Sequence, residues 1–109
     1  NILYWLRKNK IKIAIVTSKD FVRTIELIEY LNIEIDLVVT PEKTLKGKPH
    51  PEPLFFASKG LSIPISKSIF VGDMLSDMKA AYKAPIAPAP IIVTFIFDSV
   101  PYFKDIFKF

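Results

Sequence analysis

A chain of 109 residues holds one domain at most. With half of its residues hydrophobic and 24% charged, it is composed to pack a core and not to stay disordered. It has no cysteine, which removes disulfide frameworks, thiolate zinc sites and cysteine nucleophiles together, and fifteen basic against eleven acidic residues give a net charge of +4, a mild excess suited to an anionic ligand.

Ile2, Leu3 and Leu6 stand at helical spacing and Arg7, Lys8 and Lys10 close the segment, so the chain is expected to open on a short helix. Ile11 to Val16 is a compact apolar run interrupted only by Lys12, and it stops at Thr17-Ser18, as a buried parallel strand ending in a loop would. Ser18 or Asp20 can cap a second helix with Val22, Ile25, Ile28 and Leu31 on one face and Arg23, Glu26 and Glu29 on another. Asp36 to Thr40 repeats the strand-to-loop pattern and leads into Pro41 to Pro51, a loop carrying Lys43, Lys46 and Lys48. Pro53 can open a helix reaching Lys59 and terminated by Gly60. A third strand, Ser68 to Val71, ends at Gly72-Asp73, and an Ala-rich helix follows from about Ser76 to Ala84. After it come three prolines, a β-like run from Ile91 to Phe97 and a Phe-containing tail.

Strand and helix alternate three times, which predicts an α/β fold, an open parallel sheet with helices on its faces. Residues 1–84 read as the motif-bearing segment, and 85–109 as a final strand and tail of the same domain. The apolar stretch from Ala84 to Phe97 is broken by Pro85, Pro88 and Pro90 and is shorter than a spanning helix needs, so no membrane partner is expected. The opening residues have neither an initiator Met nor a signal peptide. The chain therefore reads as an excerpt, with the cytoplasm as its expected compartment. No Arg-rich run or aromatic RNA motif appears, and no nucleic-acid partner is expected.

Ligands of such folds gather at the carboxyl ends of the strands, and the candidate polar residues all fall there. Thr17 and Ser18 can offer hydroxyls or backbone N–H groups to a phosphate, or simply cap a helix. Lys48 can neutralise a phosphoryl oxygen, its backbone stiffened by Pro49 and Pro51, or belong to a solvated basic loop. Asp73 and Asp77, four residues apart after a buried strand, suit a divalent ion such as Mg²⁺, or a helix start. His50 is the only histidine, and its proline flanks favour a structural role.

In this order the residues resemble the haloacid dehalogenase (HAD) superfamily of Mg²⁺-dependent phosphohydrolases, over roughly residues 1 to 84. Ile13-Ala14-Ile15-Val16-Thr17-Ser18-Lys19 looks like the second motif, with Thr17 holding phosphate. Lys46-Gly47-Lys48-Pro49-His50-Pro51-Glu52-Pro53 looks like the third, with Lys48 as its lysine. Phe70-Val71-Gly72-Asp73-Met74-Leu75-Ser76-Asp77 looks like the fourth, whose acidic pair serves the magnesium. The pattern is nearest to the phosphoglycolate phosphatase-like branch.

The resemblance implies a three-layer Rossmann-like core and hydrolysis of a small phosphate monoester through an aspartyl-phosphate. The first motif of the family, an Asp-x-Asp bearing the nucleophile, occurs nowhere in the 109 residues. The core is therefore expected to be incomplete and the chain inactive alone. Without a central strand it would expose a sheet edge open to self-association. The competing expectation is a non-enzymatic α/β module that binds an anion or a partner protein through the same crevice.

Overall fold

The computed structural model describes residues 2–84 together with the backbone of 92–95. Four helices and four strands follow one another as α1 (Ile2–Lys8), β1 (Lys12–Val16), α2 (Phe21–Leu31), β2 (Leu37–Val39), α3 (Glu52–Leu61), β3 (Ser68–Val71), α4 (Leu75–Lys83) and β4 (Ile92–Phe95). All strand pairs are parallel and the sheet order is β2-β1-β4-β3. Among the described residues no helix is long and apolar enough to cross a membrane.

Both faces of β1 are buried, which explains its nearly unbroken apolar run. Ile13 and Ile15 point into a cluster with Leu3 and Leu6 of α1 and with Leu27, Ile28 and Leu31 of α2. Ala14 and Val16 point the other way, onto Val39, Leu54 and Ala57 of α3 and Ala80 of α4. The three layers expected from the sequence are thus present, α1 and α2 on one side of the sheet and α3 and α4 on the other.

Two local expectations change and one open choice is settled. The inward stripe of α2 runs through Thr24, Leu27, Ile28 and Leu31, leaving Val22 64% exposed. Thr24 can be buried because its hydroxyl donates to the Asp20 carbonyl at 2.7 Å, and Val22, two positions away, falls on the opposite side of the helix. Asp20, one of the two caps considered, is the one used: its carboxylate accepts from the Arg23 N–H at 2.9 Å. Gly60 does not end α3, which runs on to Leu61 and closes at Ser62 with left-handed φ of 57°. Gly60 instead permits close packing, since a Cβ there would lie 2.7 Å from Leu37 Cδ2.

The middle of the sheet is filled. β4 pairs with β1 on one side (Lys12 with Ile92, Ile15 with Phe95) and with β3 on the other (Ser68 with Ile92, Val71 with Phe95). The strand lying between β1 and β3 is the chain's own β4, and the edges of the described sheet are β2 and β3. Of the expected Ile91 to Phe97 run, Ile92–Phe95 is strand; the rest of the tail lies outside the described residues.

Candidate functional site

Because every strand is parallel, the carboxyl ends of β1, β2 and β3 share one side of the molecule, and the loops that follow them meet there. A cavity of about 150 Å³ opens at the ends of β1 and β2, lined by Val16, Thr17, Ser18, Val39, Thr40, Thr44, Gly47 and Lys48 among others. Three sequence candidates, Thr17, Ser18 and Lys48, therefore share one wall system although they come from different loops.

Thr17 is buried and fixed by its own neighbours. Its N–H donates to the Val39 carbonyl at 3.0 Å, extending the β1–β2 pairing past the strand end, and its hydroxyl oxygen accepts from the Lys19 N–H at 3.0 Å. Ser18 is exposed beside it.

Lys48 is held more tightly than a loop lysine ordinarily is. Its side chain is 2% exposed, and Nζ donates to Asp77 Oδ1 at 2.7 Å and to the Val16 carbonyl at 3.5 Å. The loop that carries it is clamped at both ends by carboxylates that sequence reasoning passed over. Glu52, at the start of α3, accepts from the Leu45 N–H at 3.0 Å and from the Lys46 N–H at 3.2 Å. Glu42 accepts from the Phe21 N–H at 3.2 Å, and Lys43 Nζ stands 5.9 Å from the centre of the Phe21 ring, a cation–π contact. The signal for Glu52 was its place in the first turn of a helix opened by Pro53, where a carboxylate collects orphan backbone donors. His50 has the structural role expected of it, Nδ1 accepting from the Glu52 N–H at 3.1 Å.

A third missed residue is Thr40. It is 1% exposed, it lines the cavity, and Oγ1 meets no hydrogen-bond partner among the described residues. The Thr40 hydroxyl and then the backbone N–H groups of Glu42 and Phe21 hold the Glu42 carboxylate below its usual range. A buried hydroxyl facing the cavity is a donor available to a ligand.

Asp73 and Asp77 differ sharply. Asp73 follows β3 at Gly72 and is exposed; it does not line the Thr17–Lys48 cavity. Asp77 is fully buried, with Oδ1 against Lys48 and Oδ2 accepting the Met74 N–H at 2.9 Å. Among the described residues no group of three or more acidic or histidine side chains is placed to hold a metal ion. Of the expected pair, only Asp73 is exposed to solvent.

Comparison with known proteins gives concordant results. Residues 1–90 match the family model described as haloacid dehalogenase-like hydrolase. A phosphoglycolate phosphatase of Nitrosococcus oceani is 34% identical over 84 residues, 75% of this chain and 37% of that protein. One of Pseudomonas fluorescens is 34% identical over 86 residues, 77% of this chain and 32% of that protein. The chain thus spans about a third of the length of these curated relatives. The crystal structure of a HAD-superfamily hydrolase from Ehrlichia chaffeensis superposes with a TM-score of 0.71 at 29% identity, over 96% of this chain and 52% of that one. A family IA, variant 3 HAD hydrolase from Entamoeba histolytica gives 0.68 at 27%, over 96% and 46%.

Proposed function

Since the chain belongs to the haloacid dehalogenase-like hydrolases, we propose that it carries the phosphate-holding part of a phosphatase that hydrolyses a small phosphate monoester. Phosphoglycolate, named for its relatives, is the first substrate to try. The observation that carries this reading is the buried lysine at the cavity: Thr17, Ser18 and Lys48 meet there, with Lys48 locked by Asp77.

In this reading Thr17 and Ser18 donate to phosphoryl oxygens and Lys48 offsets the charge that gathers on the phosphoryl group as it transfers. Lys48 is effective because it is fixed before substrate arrives. The nucleophile is an aspartate on a strand that the 109 residues do not supply. It would attack phosphorus, release the alcohol and give an aspartyl-phosphate that water then hydrolyses. Asp73 would hold Mg²⁺, which when bound supplies Lewis-acid polarisation of the phosphoryl group. The motif-bearing segment ends at Ala84 and the remainder belongs to the same domain. A cytoplasmic setting, without nucleic-acid or membrane partners, completes the proposal.

The chain should then bind orthophosphate yet turn over generic phosphate esters with Mg²⁺ no faster than background. Lys48→Ala should weaken orthophosphate binding by at least tenfold. Robust turnover abolished by Lys48→Ala would place the nucleophile within this chain. Orthophosphate binding that is absent or indifferent to Lys48 would favour the non-enzymatic module.

A further inference from the structure

Asp77 is the one fully buried carboxylate among the described residues, and each of its oxygens is engaged from within the chain. Lys48 Nζ sits 2.7 Å from Oδ1, and the Met74 N–H, 2.9 Å from Oδ2, uses the other oxygen as the reciprocal half of a helix cap. The carboxylate is pressed against a backbone that leaves it no slack. A Cβ on Gly72 would lie 2.5 Å from Asp77 Cβ and 2.8 Å from Oδ2.

A magnesium ion asks for the opposite surroundings. It holds oxygens at roughly 2.0–2.1 Å in near-octahedral geometry and keeps several waters. At Asp77 there is no solvent exposure for those waters. An ion on Oδ1 would also share that oxygen with an ammonium already at 2.7 Å, a repulsion at short range in a poorly screened interior.

We infer that Asp77 is a positioning residue that fixes Lys48 Nζ at the carboxyl end of β1, and that a metal ion takes Asp73 without it. The metal half of this inference rests on the reading of Asp73 proposed above; the Lys48 half stands on the geometry alone. One buried ammonium matched to one buried carboxylate forms a unit whose members are costly singly and tolerable together. Asp77 would thus reach the phosphoryl group only through Lys48.

The test uses the 109-residue chain with D73N, D77N, K48M and the double variant K48M/D77N, which removes both charges and guards against D77N failing to fold. Three quantities are read: denaturation midpoint, affinity for Mn²⁺ alone and affinity for orthophosphate. D77N and K48M should each lower the midpoint, and K48M/D77N should lie above the sum of their losses. Additive losses would overturn the pairing. Mn²⁺ affinity should fall at least tenfold in D73N and stay within about twofold of wild type in K48M/D77N; a tenfold fall in the double variant would make Asp77 a ligand after all. Orthophosphate affinity in folded D77N should drop toward that of K48M, and a wild-type value there would reduce Asp77 to packing and overturn its positioning role. If the wild-type chain binds neither Mn²⁺ nor orthophosphate, the phosphatase reading fails and the midpoints still decide the pairing.

Discussion

Thr40 is a hydroxyl placed at some cost: buried, unbonded among the described residues and facing the proposed anion cavity. An unsatisfied buried polar group typically costs about 1–3 kcal/mol. Thr40→Val should therefore raise stability by about 1 kcal/mol while weakening orthophosphate several-fold, read by chemical denaturation and calorimetric titration on the same preparation. A loss of stability would show that the hydroxyl is bonded in solution and has no donor to offer. Neither Thr40 nor the burial of Lys48 was legible along the sequence. Lys48 read there as a lysine followed by Pro49 and Pro51, and a lysine in a basic loop is ordinarily solvated. What buries it is Asp77, 29 positions further on, a pairing set by the meeting of two loops at the ends of different strands.

At the scale of elements, α1 is tied to the sheet by one carboxylate. Asp36 Oδ2 accepts from the Ile13 N–H at 2.8 Å and pairs with Arg7 at 2.9 Å, while Glu34 adds a more exposed contact to the same guanidinium at 3.2 Å. Burial by itself would raise the Asp36 carboxyl, but the Ile13 N–H and then the Arg7 charge bring it below its ordinary 3.8. The folded state thus binds this proton less readily than the unfolded one. The resulting stability is complete above that ordinary value and is lost as pH falls through the lower folded value. Asp36→Asn should cost about 1 kcal/mol at neutral pH and flatten this part of the acid limb, checked by denaturation midpoints from pH 7 to 2. The end of α3 offers the reverse case. Ser62 holds φ of 57°, a conformation that glycine adopts without a Cβ penalty, so Ser62→Gly should stabilise by about 1 kcal/mol. An unchanged melting temperature would count against that backbone conformation. The elements themselves were readable because apolar runs and caps are local. The turn of α2 that hides Thr24 and the extension of α3 past Gly60 depend on what packs against them, and so were not.

For the whole molecule, the three-layer parallel architecture followed from the alternation of strands and helices, whereas the place of β4 did not. An apolar run states that it will be buried and leaves open which two strands will take it. Since β1 and β3 are each paired to β4 and not to one another, removing everything after Ala84 should leave two unjoined pieces of sheet. That truncated chain should lose its cooperative thermal transition, followed by far-UV circular dichroism; a sharp transition retained would show that the helices alone hold the layers together. The position of β4 also has a consequence in time. Lys12 finds its partner in Ile92, at nearly the full span of the described chain, so the centre of the sheet is built from its most distant contacts. Long-range pairing of this kind must meet its loop-closure entropy before any contact repays it, and it slows folding. The pairing of β4 with β1 therefore carries a larger loop-closure cost than the pairing of β1 with β2.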